Sequence, residues 1–130
     1  MPKVYNFILK HVKVYSARDL YSKEFPYEMT TWKQKTFMSL WDRDLGMDPK
    51  SLINLMVVGD SQYEMDAGTE FQKCCKLCLV KLVKLKELPT PDELAKQLAL
   101  VDQKFEYMVG SFKNLNIKLE KTSDDSKVAQ

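Results

Sequence analysis

Cysteine is scarce in this chain: there are three, Cys74, Cys75 and Cys78, all within five residues. An odd, local set makes a poor disulfide framework. Cys75 and Cys78 form a C-x-x-C with no second pair, and the single histidine, His11, lies more than sixty residues upstream. Zinc wants four nitrogen or sulfur ligands, so a zinc site would need every candidate in the chain. Reduced thiols packed like small hydrophobes are the expectation. Four glycines and five prolines exclude a collagen-like or low-complexity chain. No apolar run approaches the ~20 residues that span a bilayer. The opening MPKVYNFILKHVKVYS inserts Lys and His among its apolar residues and lacks the unbroken apolar core of a signal peptide. Neither sign of charge dominates, with twenty basic against eighteen acidic side chains, so no nucleic-acid footprint is expected. These absences point to a soluble, intracellular protein without membrane insertion.

What is present is a globular composition: 130 residues, 45% apolar and 29% charged, enough for one domain. The pattern alternates strands and helices. A first helical turn or two precedes a short strand at 12–16. Thr30 and Thr31 offer an N-cap for a helix to about Asp44, with Trp32, Thr36, Phe37, Leu40 and Trp41 at helical spacing. The run Leu52–Val58 is apolar throughout except for Asn54 and reads as a strand buried on both faces. A helix follows from Gln62 to about Lys73. The next strand runs from Lys76 to Lys86, its lysines 81, 84 and 86 suggesting that the far end emerges into water. Thr90-Pro91-Asp92-Glu93 is a capped helix start, with Leu94, Leu98, Val101, Phe105 and Met108 on one face to about residue 110. Leu115, Ile117 and Leu119 alternate as a final edge strand. The order implies βαβ units, a mostly parallel sheet and a three-layer, Rossmann-like α/β fold.

In open α/β sheets, ligands gather beyond the carboxyl ends of strands. Two such ends carry polar residues: Ser16, and Gly59-Asp60-Ser61-Gln62-Tyr63-Glu64. Asp60 and Glu64 lie about one helical turn apart, and paired carboxylates suit Mg²⁺. The simpler alternative is that Asp60 and Ser61 cap the following helix and Glu64 favours its positive N-terminus. Trp32 and Trp41 are expected to pack rather than form a cation cage, and the seven methionines to fill core gaps.

The ordered set Ser16-Ala17-Arg18, Phe25-Pro26, Trp32-Lys33 with Phe37, and Val58-Gly59-Asp60-Ser61-Gln62-Tyr63-Glu64 resembles the haloacid dehalogenase (HAD) superfamily, closest to little-characterised eukaryotic members. The stretch Val80–Pro89 through Glu93 to Leu98 continues the likeness, which covers roughly residues 5–120. The resemblance implies an α/β HAD-like core over residues 1–120 with a polar, disordered tail at 121–130. It implies that Ser16 binds phosphoryl oxygens, that Lys33, with Lys35 in reserve, neutralises phosphoryl charge, and that Asp60 with Glu64 holds Mg²⁺; Asp66 is less well placed. Such a site serves phosphoryl transfer, which rests on charge neutralisation and positioning.

The superfamily's first motif, an apolar strand ending in Asp-x-Asp upstream of the Ser motif, has no counterpart. Fifteen residues precede Ser16 and none is Asp. The sole D-x-D, Asp42-Arg43-Asp44, ends a helical pattern. Without the nucleophile no covalent phospho-enzyme forms, and the site positions Ser16, Lys33, Asp60 and Glu64 are expected to be vestigial. The missing strand would leave a sheet edge unpaired. The chain begins with Met and is read here as complete. The expectation is therefore a truncated, non-catalytic HAD-like interaction or structural module, a pseudoenzyme subunit of a larger assembly. Its protein partner covers the open edge, and it needs no haem, nucleotide or metal cofactor. The alternative is a Mg²⁺-dependent phosphohydrolase whose nucleophile segment comes from an upstream region or a partner chain.

Overall fold

The structure, a computed structural model, describes residues 2–44, 51–120 and 127–129. Five helices and four strands follow in the order α1 (Pro2–His11), α2 (Ala17–Tyr21), α3 (Met29–Asp44), β1 (Ile53–Gly59), α4 (Gln62–Cys74), β2 (Cys78–Lys84), α5 (Pro91–Gly110), β3 (Leu115–Glu120) and β4 (Lys127–Ala129). One sheet takes the strands in chain order, β1-β2-β3-β4. The first three are parallel and β4 is antiparallel to β3. The α/β, mostly parallel, Rossmann-like expectation agrees with this architecture.

Strand alternation sorts the core into two halves. Ile53, Leu55 and Val57 of β1 and Cys78, Val80 and Leu82 of β2 pack against Met65 and Phe71 of α4 and Phe37, Met38 and Trp41 of α3. The opposite face carries Met56, Val83 and the β3 residues Leu115, Ile117 and Leu119 against Leu94, Leu100, Val101 and Met108 of α5. β3 alternates cleanly: Asn116 and Lys118, on the same face of the sheet as Leu82, are exposed, as expected for a half-buried strand. Gly68 sets the approach of α4 to the sheet, since a Cβ there would lie 2.5 Å from Leu82 Cδ2 and 3.1 Å from Val57 Cγ2. The steps β1→β2 and β2→β3 run the same way across the sheet, yet α4 and α5 cover opposite faces. The two crossovers therefore have opposite hands, a departure from the strong right-handed preference that gives a three-stranded parallel sheet cover on both sides.

Helix ends follow local chemistry. Thr90 Oγ1 accepts from the Glu93 backbone N–H at 3.2 Å, with Pro91 at the start of α5, as the T-P-x-E pattern requires. No described helix is long and apolar enough to cross a membrane.

Several expectations are corrected. Residues 12–16 form no strand. Their alternation has no neighbouring strand to pair with, and both faces stay exposed. Lys81 does not emerge into water but is fully buried, because β2 is central and covered on both faces. Lys84 and Lys86 are half-buried. Leu98 and Phe105 remain about half exposed while Leu100 joins the core, a rotation of the α5 stripe. β3 is not the edge strand, since β4 pairs beyond it. Of the tail 121–130, residues 127–129 are described as β4 and the rest lie outside the described residues.

Candidate functional site

β1 delivers the chain to Gly59, and Asp60 and Ser61 turn it into α4. Glu64, in the first turn of α4, folds back over this turn. Its Oε2 accepts from the Ser61 backbone N–H at 3.2 Å and from the Ser61 hydroxyl. Its Oε1 meets Lys33 Nζ of α3 at 3.0 Å. Gly59 makes room, for a Cβ there would lie 2.9 Å from Glu64 Cγ and 3.0 Å from its Oε2. Burial by itself raises the Glu64 pKa. The Ser61 hydroxyl and then the Lys33 ammonium more than offset it, so the carboxyl titrates below its ordinary value.

The sequence-derived residues are thus brought together in part. Lys33 and Glu64 touch. Asp60 sits half-buried between Gly59 and Ser61, while Asp66 Oδ1 accepts from Gln62 Nε2 at 3.0 Å one turn into the helix. Ser16 does not end a strand. It is the N-cap of α2, its Oγ accepting from the Asp19 N–H at 3.2 Å. Lys35 points elsewhere, its ammonium 5.6 Å from the centre of the Phe25 ring. Trp32 donates its Nε1–H to the Phe25 carbonyl at 2.6 Å and carries the Arg18 guanidinium 5.9 Å from its ring centre. These contacts knit α2 and the Phe25-Pro26 turn onto α3. Trp41 packs on Phe71 at 5.5 Å.

Both Glu64 oxygens are already engaged, by Ser61 and Lys33. Among the described residues no group of three or more His, Cys, Asp or Glu side chains gathers. The capping reading of the S-x-x-E pattern accounts for the arrangement at Ser61 and Glu64.

A second polar feature was not legible as such. The Lys81 ammonium, on the α5 face of β2, donates to Asn54 Oδ1 of β1. Asn54 Nδ2 donates to the Val109 carbonyl at 2.8 Å, in the last turn of α5. A helix C-terminus carries partial negative charge, and Asn54 links the ammonium to it. Desolvation still lowers the Lys81 pKa, with the nearby Cys78 thiol opposing it. The only sequence signal was a lysine inside an apolar, strand-like run. No family model, curated protein or solved structure matches the chain.

Proposed function

We propose that this chain is a non-catalytic, HAD-like binding module whose open sheet is completed by a strand of a protein partner. The observation that carries this reading is the outer edge of β1. Seven residues, Ile53–Gly59, hold no charge and no proline, and among the described residues no strand pairs beyond them. Natural edge strands are usually blunted by charge, proline or cover, and this one lacks the first two. Val58 near the end of the strand and Leu52 just before its start are 40% and 48% exposed. The phosphate-site residues support a binding role as well. The Ser16 hydroxyl caps a helix and Lys33 is held by Glu64, so both serve the fold.

A second reading is favoured by one contact. The resemblance implies that Lys33 neutralises phosphoryl charge and that Asp60 with Glu64 holds Mg²⁺, and Lys33 lies 3.0 Å from Glu64. A phosphohydrolase completed in trans by a strand ending in Asp-x-Asp would use that arrangement, and such a strand would occupy the β1 edge.

Hydrolysis of p-nitrophenyl phosphate with added Mg²⁺ separates the two. The purified chain is expected to show no turnover above background. Turnover that disappears in Asp60→Asn overturns the binding-module reading. For the second reading, the sequence upstream of Met1 or a co-purifying partner must supply the Asp-x-Asp strand, and if neither does, it fails.

A further inference from the structure

We propose that α1 is an interfacial anchor that lies in the surface of an anionic lipid membrane. No residue of α1 is buried, yet the helix is amphipathic. Val4, Tyr5, Ile8 and Leu9 fall on one face by helical periodicity, with Val12 just beyond the helix continuing it, and Lys3, Asn6 and Lys10, with Phe7 beside them, fall on the other. The apolar residues are exposed, Tyr5 and Leu9 by more than 60%. A ten-residue helix is marginal in water by itself, since isolated helices below about 12–15 residues gain too little to hold together. An apolar surface laid along the stripe supplies what is missing.

Charge selects the occupant. The first sixteen residues hold three of the twenty basic side chains, Lys3, Lys10 and Lys13, and none of the eighteen acidic ones. This arm carries +3 while the rest of the chain nets −1. A basic amphipathic helix with apolar residues, Tyr5 among them, along one side is the composition that lies in an anionic interface. The continuation favours a bilayer over a protein groove. Beyond His11 the chain leaves the helix, yet the mixture of apolar and basic residues goes on through Val12, Lys13, Val14 and Tyr15, with Val14 75% exposed. A lipid surface takes both the helix and the non-helical stretch. The helix lies in the interface and does not span, in keeping with its length.

The test is flotation of the full chain with phosphatidylcholine vesicles, with and without phosphatidylserine. The chain is expected to float with the phosphatidylserine vesicles at low salt, to stay behind with phosphatidylcholine alone, and to dissociate as salt rises. Ile8→Asp with Leu9→Asp should abolish flotation. Lys3→Glu with Lys10→Glu should weaken it by at least roughly tenfold, each lysine being worth about fivefold near such a surface. Both variants should melt like the parent, because these side chains lie outside the core. Failure to float with phosphatidylserine vesicles overturns the proposal, as does undiminished flotation of the Ile8→Asp, Leu9→Asp variant. Self-association of the parent chain that the same variant abolishes, with no flotation, also overturns it and assigns the stripe to a second copy.

Discussion

Lys33 on α3 and Glu64 on α4 are joined at 3.0 Å, and the other oxygen of the same carboxylate receives both donors of Ser61. One side chain thus ties the start of α4 to a helix that precedes it by a strand. Glu64→Gln should lower stability by about 1 kcal/mol in urea titration at neutral pH. The figure is small because Lys33 is 40% exposed and water screens the pair. The pH dependence has a definite sign. The folded pKa lies below the ordinary 4.5, so the contribution is complete above that pH and is lost as pH falls through the lower, folded value. The difference between the parent and Glu64→Gln should therefore shrink on acidification; a constant difference would show that the charge is not the cause.

Gly59→Ala should act on the same device from the other side. The new methyl would collide with Glu64 Cγ and Oε2, forcing the carboxylate away from Ser61 and Lys33. A loss of about 1–2 kcal/mol is expected, typical of overpacking. In a Glu64→Ala background most of the obstacle is gone, so Gly59→Ala should cost clearly less there. A double-mutant cycle with no coupling beyond about 0.5 kcal/mol would refute the contact.

The parts of the fold that could be read from sequence are those whose local signals agree with their surroundings. The T-P-x-E start of α5 and the alternation at Leu115, Ile117 and Leu119 each became the expected element, because capping and periodicity are local signals, whereas the run Leu52–Val58 became β1 at the sheet edge, with Val57 alone buried rather than both faces. Residues 12–16 had the alternation of a strand but no neighbour in the sheet, and pairing is a tertiary fact that no window of five residues contains. Lys81 was misread for a related reason. Lysine in a strand signals solvent only when the strand has a wet face, and whether α5 would cover this one depended on topology. At the candidate site the contact between Lys33 and Glu64 was not legible, because it joins two separate helices, whereas Ser61 as a cap and Glu64 in the first turn of α4 were legible from local pattern.

Thiol reactivity should divide the three cysteines. Cys74 is exposed, while Cys75 and Cys78 are buried beside α4 and β1. Burial, reinforced by the neighbouring Cys75 thiol and only partly relieved by the Lys81 charge, pushes the Cys78 thiol up to about 12. The thiolate is the reacting species. Iodoacetamide at about pH 8.5, where an unperturbed thiol is half ionised, should therefore add one group to the folded chain, on Cys74. The chain unfolded in guanidinium should take three. Rapid labelling of Cys78 in the folded chain, read by peptide mass spectrometry, would contradict the packed arrangement.

Lys81 carries the sharpest stability prediction. Its ammonium is fully buried and hydrogen-bonded to Asn54, with no carboxylate among the interactions that shift it. An ion removed from water without a counter-charge destabilises the folded state, and exchange of buried charge for a well-packed apolar side chain often stabilises by about 1–4 kcal/mol. Lys81→Met keeps an unbranched side chain, shorter by the charged terminal atom, and suits the apolar neighbours on either side, Met56 and Leu115. Asn54 is exposed and can turn its oxygen to water. The variant should therefore unfold at higher urea than the parent at neutral pH. The folded pKa lies below the ordinary 10.5, so the parent's penalty is full below the folded value and is relieved as pH rises towards 10.5. The advantage of Lys81→Met should accordingly narrow in alkaline buffer. A variant less stable than the parent would mean that the hydrogen bond to Asn54 and the dipole of α5 outweigh the cost of desolvation.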